Sequence, residues 1–355
     1  MIRLCHVITT LDPGGAENAL CDLALGLKDI GYQQDIVYLK GQGQLGSFFQ
    51  KENIPVTKIN MESFSKIFSA KTQLMAHTKN HHLIHSHLLK ANSLAAMACS
   101  ALPLVGSRHN DESILNNPFI HFLHKHFSRK EKVHIAISQA VKCFYTNKGL
   151  EAEKFKIIPY GLTPPLPLSK TNLRNELKVP SDHTLLLHAG RLVPQKGQCD
   201  LLQAMVSLPK LTLALCGTGE LEATLKQQSQ QLGLNNRVHF LGFRNDLHDL
   251  MASSDLFVLP SHWEGLGRVL LEAMAVGLPI VSTQVSAIPE VLGDTAWLCP
   301  PNNPEALAAS IRTALEEKES WPHKIEKMAQ RLTNNFSIDF MIKAHDDIYR
   351  SIING

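Results

Sequence analysis

The strongest constraint on this chain is its rhythm: short apolar runs alternate with segments of helical period on both sides of a proline-rich break. Residues 2–9 (IRLCHVIT) are apolar and stop at Asp12-Pro13-Gly14-Gly15. From Ala16 the period becomes helical, with Leu20, Leu23 and Leu27 on one face, ending at Gly31. Apolar runs follow at 34–39, 55–59, 83–88, 103–107 and 133–137, each leading into a helical segment. Ser138 is placed to cap one helix and Gly149 to stop it. Pro159 to Pro167 (PYGLTPPLP) carries four prolines in nine residues, too many for a helix or a central strand, and is read as the linker. Strand-like runs resume at 184–189, 211–216, 237–240, 255–259, 279–282 and 295–298. Asn303-Pro304-Glu305 starts a helix, and Ser337 is placed to cap a last one with Met341, Ala344, Ile348 and Ile352 on one face. Alternation of this kind predicts parallel sheets covered on both faces, in two doubly wound α/β domains. Such sheets bind ligands beyond the carboxyl ends of their strands, so a cleft between the domains is the expected active site.

Size and charge agree with two domains. The chain has 355 residues, and a single core seldom grows past about 250–300. Up to residue 165 there are 18 Lys+Arg against 12 Asp+Glu; the remainder has 17 against 20, giving +6 and −3. The net +3 excludes a globally basic nucleic-acid binder but not a local basic patch. Seven scattered cysteines suit a reduced cytoplasm, with no zinc or disulfide framework in their spacing. The weakly polar stretch 93–106 is too short and too broken to span a membrane, and the N-terminus does not read as a signal peptide.

The segment Pro260-Ser-His-Trp-Glu264-Gly-Leu-Gly267-Arg-Val-Leu-Leu-Glu272 is the most informative. A strand ends at Pro260, Glu264 lies in a loop, and a helix begins near Gly267, where free N–H groups attract a phosphate. Glu272 lies roughly 7 Å further along that helix, so two carboxylates flank the phosphate position and suit separate hydroxyl pairs. The plain alternative makes Glu272 a surface residue and Glu264 a charge favoured by the helix dipole.

Context favours the ligand. The segment resembles the E-x7-E motif of the retaining glycosyltransferases of family 4, which have the GT-B fold. Gly190-Arg191-Leu-Val-Pro-Gln-Lys196-Gly197 is similar to the family's diphosphate-binding G-R-x-x-x-x-K-G. Leu215-Cys-Gly217-Thr-Gly219, the run from Val238 through Gly242 and Arg244, Ser254 to Ser261, and Ile288-Pro289-Glu290 follow in family order. Gly14-Gly15-Ala16-Glu17, His85-Ser86-His87 and Ser107-Arg108-His109 match in the first half. The resemblance implies a GT-B architecture, α/β with two Rossmann-like domains facing a cleft. Residues 1–162 would hold the acceptor, residues 163–336 a nucleoside diphosphate-sugar, and helix 337–355 would cross back to the first domain. Arg191, with a planar fork of donors, and Lys196, a mobile point charge, suit diphosphate oxygens; the plain alternative is a solvated loop pair. With the helix start at Leu266-Gly267 they would replace a metal ion, and no Asp-x-Asp motif is present.

Carried over from the family, Glu272 holds the ribose, Glu264 the donor sugar and His109 the sugar near the reacting carbon, in a positioning role. Gly15, next to Gly14, lets backbone approach the diphosphate, and Gly190, Gly217 and Arg244 complete the donor site. The resemblance thus implies metal-independent, retaining transfer to a glycan or lipid-linked acceptor in surface polysaccharide or lipopolysaccharide synthesis, without a cofactor. Rivals are a GT-B-fold sugar-nucleotide epimerase and a non-catalytic sugar-nucleotide-binding subunit. One departure stands out: Ser286-Ala287 replaces the Gly-Gly of many members before Ile-Pro-Glu and would crowd the donor-sugar end.

Weaker signals remain. His77, His81, His82, His85 and His87 form a histidine-rich stretch that reads as strand and loop histidines before it reads as a metal cluster. The Gly217-x-Gly219 turn lacks the third glycine of a dinucleotide fingerprint, which argues against NAD. Phe119 to Lys132 (FIHFLHKHFSRKEK) interleaves aromatics and bases, as a helix on an anionic membrane surface would. Its alternative is a surface helix with Phe122 and Leu123 packed inward.

Overall fold

The computed structural model describes residues 1–99, 101–163 and 172–355. Pro164, Pro165 and Pro167 of the expected linker lie outside the described residues. The chain forms two compact units, Met1–Gly161 with Phe336–Gly355, and Leu162–Asn335.

The first unit is built on β1 (Arg3–Thr10), β2 (Gln33–Lys40), β3 (Val56–Lys58), β4 (Leu83–His87), β5 (Leu104–Arg108), β6 (Val133–Ala136) and β7 (Phe155–Ile157). All pair in parallel, in the order β3-β2-β1-β4-β5-β6-β7. Helices α1 (Gly15–Asp29), α2 (Gly46–Lys51), α3 (Ile67–His77), α4 (Leu89–Ala98), α5 (Pro118–Ser128) and α6 (Gln139–Asn147) make the crossovers. The second unit has β8 (Thr184–Ala189), β9 (Leu211–Cys216), β10 (Val238–Gly242), β11 (Leu256–Leu259), β12 (Ile280–Thr283) and β13 (Trp297–Cys299). They are again all parallel, in the order β10-β9-β8-β11-β12-β13. Its helices are α7 (Leu173–Glu176), α8 (Gln198–Val206), α9 (Glu222–Gln231), α10 (Leu247–Ala252), α11 (Arg268–Val276), α12 (Ile288–Leu292), α13 (Pro304–Glu316) and α14 (Trp321–Asn335). The last helix, α15 (Ile338–Asn354), belongs to the first unit.

Period-2 alternation sorts the side chains of β1. Cys5 and Val7 join Val37, Leu39, Leu74 and Leu94 on one face, while Leu4 packs with Leu23, Leu27, Met341 and Tyr349 on the other. In the second unit every residue of β9 is buried, which is why the sequence there is apolar but for Thr212. Each leucine so buried contributes about 1.5–3 kcal/mol. α15 is amphipathic: Met341 and Tyr349 are buried, Ile342 sits against the bare backbone at Gly26 of α1, and Tyr32 donates to Asp346 at 2.5 Å. Ser337 occupies the N-cap position of α15 but makes no capping hydrogen bond, whereas Ser138 and Asn303 do cap α6 and α13.

Both sheets reverse strand order next to their first strand. Consecutive crossovers therefore leave in opposite directions from β1/β4 and from β8/β11, opening a crevice beyond the carboxyl ends of those strands. The motif loops lie there.

Candidate active site

In the second unit the loop after β8, carrying Gly190 to Gly197, meets the loop after β11, carrying Pro260 to Gly267. They are fastened together. Lys196 Nζ donates to Glu264 Oε1 in an ion pair whose side chains are 13% and 6% exposed. Ser261 Oγ donates to the same oxygen at 2.7 Å. Gln195 donates its side-chain amide to the Trp263 carbonyl (2.9 Å) and accepts the His262 N–H on its own carbonyl (2.8 Å). His262 Nε2 lies 2.8 Å from Asp200 Oδ2. Glu264 is therefore a buried carboxylate with its counter-charge in contact, which offsets the cost of taking it out of water. Glu264 Oε2 has no hydrogen-bond partner among the described residues.

Arg191 is exposed, and its guanidinium has no hydrogen-bond partner among the described residues. Its backbone is held: Gln198 Nε2 donates to the Arg191 carbonyl at 2.8 Å and also reaches His188 Nε2 at 3.1 Å. His188 in turn donates from Nδ1 to the Val258 carbonyl of β11 (2.9 Å), and burial lowers its pKa to about 4. His188, Gln198, Ser261 and His262 were not singled out from sequence. A histidine next to the end of an otherwise leucine-rich strand and a glutamine directly after the motif glycine were the available signals.

Gly217 has a φ of +132° and lies so close to the Gly190 carbonyl that a Cβ would fall 2.0 Å from it, so these glycines pack two loops together. Gly267 takes φ +79° at the N-cap of α11, a left-handed conformation, and no side chain caps the first N–H groups of that helix. Leu266 is 1% exposed, so only its backbone faces the loop. Glu272 lies on the first turns of α11 and accepts Arg268 Nε at 3.1 Å, both side chains mostly buried. Arg268, not assigned from sequence, is thus the direct neighbour of the expected ribose carboxylate. Arg244 is engaged elsewhere: Asp246 takes its Nε and Nη2 at 2.8 and 2.7 Å, and Glu176 its Nη1 at 2.8 Å. The two expected crowding side chains behave differently. Ser286 is exposed at φ +45°, while Ala287 is fully buried and gives its N–H to the Glu264 carbonyl at 3.5 Å.

In the first unit Gly14 is the N-cap of α1 and Gly15 its exposed first residue. Asp12 binds the N–H of Gly43 at 2.8 Å and so ties loop 41–44 to the turn after β1. Behind it runs a buried histidine chain. His6 and His87 approach at 3.2 Å (Nδ1···Nε2), His87 and His109 at 3.2 Å (Nδ1···Nε2), and His109 Nδ1 and Tyr160 Oη at 2.8 Å. His6 Nε2 lies 3.2 Å from Gln34 Oε1, and Gln34 spends its amide N–H on the Ala24 carbonyl at 2.8 Å. That last bond orders the whole chain. Gln34 Oε1 only accepts, so His6 donates from Nε2 and accepts at Nδ1. His87 then donates from Nε2, His109 donates from Nε2, and the Tyr160 hydroxyl donates to His109 Nδ1. Both nitrogens of His109 are therefore occupied.

His85 stands 4.0 Å from the His87 ring, between Ser107 Oγ and the Tyr349 hydroxyl, each at 2.7 Å. Burial lowers the pKa of His6 and His109 to about 3 and of His345 to about 4, and drives His85 and His87 well down. The pH dependence follows. Unfolded histidines titrate near about 6.5, so below that pH the unfolded chain takes up protons that the folded unit refuses. The stability from neutral burial is complete above about 6.5 and is lost as pH falls toward 4, at about 1.4 kcal/mol per pH unit per histidine. Buried His124, lowered to about 3, adds to this, and Asp111, which burial raises to about 6, opposes it as one group against six. A steep drop in melting temperature between about pH 6.5 and 5 is expected; a flat profile would contradict neutral burial of these rings.

Next to His109, Arg108 of β5 is 1% exposed and takes both oxygens of buried Glu131 at 2.9 Å. α5 corrects the inward-packed reading of Phe119 to Lys132. Phe119 and Phe122 are each 68% exposed, and His124 and Ser128 are the buried residues. Among the described residues no helix is long and apolar enough to cross a membrane.

Comparison with known proteins identifies the family and the fold. The family model described as Glycosyltransferase Family 4 matches residues 13–164, and that described as Glycosyl transferases group 1 matches residues 169–335. The N-acetyl-alpha-D-glucosaminyl L-malate synthase of Bacillus anthracis is 31% identical over 188 residues, 52% of this chain and 49% of that protein. The lipopolysaccharide core biosynthesis glycosyltransferase LpsE of Rhizobium meliloti is 30% identical over 174 residues, 48% of this chain and 51% of that protein. The chain thus spans about half the length of these curated relatives. Anabaena HepE, solved in complex with UDP and glucose, is similar with a TM-score of 0.90 and 26% identity, over 99% of this chain and 100% of that one. The chain belongs to glycosyltransferase family 4 and has its GT-B fold.

Proposed function

We propose that the protein transfers a sugar, with retention of configuration and without a metal ion, from a nucleoside diphosphate-sugar to a glycan or lipid-linked acceptor. The observation that carries this is the fastened pair of loops beyond β8 and β11. They carry Arg191, whose guanidinium has no hydrogen-bond partner among the described residues, and Lys196 on one loop, and the open Oε2 of Glu264 and the α11 N-terminus on the other. As the glycosidic bond breaks, negative charge grows on the diphosphate, and two cations with a row of N–H groups can take it up. Glu264 would receive donor-sugar hydroxyls and Glu272 the ribose. The leaving phosphate oxygen would take the acceptor hydroxyl's proton as the new C–O bond forms on the same face.

His109 suits positioning. With a pKa of about 3 it is a poor general base at neutral pH, and contact with a sugar requires Tyr160 to release Nδ1. HepE, solved with UDP-glucose, favours a uridine nucleotide. LpsE, by its name, favours a lipopolysaccharide-type acceptor. Exposed Phe119 and Phe122 on α5, near exposed Lys125 and Arg129, favour an anionic membrane surface as the place where such an acceptor is met. Glu272→Ala should weaken UDP binding at least tenfold in calorimetry, with some loss of melting temperature because mostly buried Arg268 loses a partner. Undiminished affinity would remove the ribose assignment.

A further inference from the structure

A second cluster of chemistry-bearing side chains lies near the amino ends of β1 and β2, away from the loops that follow their carboxyl ends. Cys5 and Asp35 are register partners on these strands, so their side chains share a face. His77 ends α3 and His81 follows four residues later, bringing both imidazoles over that face. The ligand atoms of Cys5, His77 and His81 lie within 4.8 Å of one another. Asp35 Oδ2 is 3.0 Å from His81 Nε2 and 3.4 Å from His77 Nε2. In a tetrahedron built with ordinary zinc–sulfur and zinc–nitrogen bonds, ligand atoms sit roughly 3.3–3.8 Å apart.

The polar atoms here are not all satisfied. Among the described residues His81 Nδ1 is buried without a hydrogen-bond partner, and His77 Nε2, also without one, has only the Asp35 carboxylate at 3.4 Å as a charge partner, so the ring nitrogens are incompletely satisfied. The other close histidine group, His6, His85 and His87, differs: its ring nitrogens are spent on one another, Gln34, His109, Ser107 and Tyr349. His82 is also occupied, accepting the Arg3 N–H at 2.9 Å. Cys5 is fully buried at the floor of the cluster, whereas the side chains of Asp35 and His77 are 26% and 23% exposed and leave an entrance.

We propose that Cys5, Asp35, His77 and His81 form a structural site for one tetrahedral divalent cation, with Zn²⁺ the best match to one thiolate, two imidazoles and one carboxylate. Binding forms a metal–thiolate bond and releases the Cys5 proton to solvent, so affinity rises with pH. The ion joins β1, β2, the end of α3 and the turn before β4, and this stabilises the first unit without touching the donor loops.

The test uses the full chain, stripped with a chelator and titrated with Co²⁺ and then Zn²⁺. One equivalent of Co²⁺ should bind with the intense visible bands of a tetrahedral site and a thiolate-to-cobalt charge-transfer band, and Zn²⁺ should displace it. Cys5→Ser should lose the charge-transfer band. His77→Ala, at a partly exposed position and with a wild-type circular dichroism spectrum, should bind at least about tenfold more weakly. Binding well below one equivalent, an octahedral spectrum, or undiminished binding by a His77→Ala/His81→Ala variant would overturn the site. None of these readouts depends on nucleotide binding or sugar transfer.

Discussion

Glu131→Ala is expected to destabilise the first unit by about 3–5 kcal/mol, a large part of the roughly 5–15 kcal/mol available to a domain. Arg108 and Glu131 are each 1% exposed and bonded through both carboxylate oxygens, and His134 Nδ1 holds one of those oxygens at 2.7 Å. Burial alone would push the Glu131 carboxyl up; Arg108 and then His134 outweigh it and hold it below its ordinary value. Without Glu131, Arg108 keeps its charge in a dry interior with Ser128 Oγ and the Tyr145 ring as its remaining company. There is no reserve of acceptors among the described residues, where Arg108 Nε and Nη1 already lack partners. Urea melts would show the loss. An Arg108→Met/Glu131→Leu variant should be the more stable of the two, because removing both charges leaves neither uncompensated. A loss under about 1 kcal/mol for Glu131→Ala would mean that water reaches the pair.

The other large effect concerns transfer itself. Arg191→Ala should cut turnover about a hundredfold and Arg191→Ala/Lys196→Ala about a thousandfold or more, as expected for charges aimed where negative charge develops. Their stabilities should differ. Arg191 is exposed and its guanidinium holds no group among the described residues, so its replacement should change stability by less than about 0.5 kcal/mol. Lys196→Ala strands buried Glu264, so it should lower both turnover and melting temperature, and Glu264→Gln on that background should restore part of the stability. Near-normal turnover in the double variant would remove the two cations from the chemistry.

The architecture was legible because parallel strands buried on both faces leave runs such as Leu211–Cys216 that local pattern detects. β7 was missed for the complementary reason: it is three residues long, it edges the sheet, and Lys156 and Ile157 are exposed, so it carries no apolar signature. The motif loops were legible through their glycines and charges. The Lys196–Glu264 contact was not, because those residues are 68 positions apart and only the β8/β11 reversal brings them together. The histidine chain was hidden likewise. His6, His87 and His109 come from β1, the end of β4 and the turn after β5, and no local spacing links them. The inward alternative for Phe122 fails because α5 buries His124 and Ser128 near the Arg108–Glu131 pair and leaves Phe119 and Phe122 exposed.

The central claim is that protein cations alone support departure of a sugar nucleotide's diphosphate. Its most direct test is nucleotide release from a panel of UDP-, GDP- and ADP-sugars in excess chelator, with glycan and lipid-linked acceptors present. The account predicts acceptor-dependent release from one nucleotide class, a UDP-sugar, at a rate the chelator leaves unchanged. Release that stops with chelator and returns with added Mg²⁺ or Mn²⁺ would contradict it.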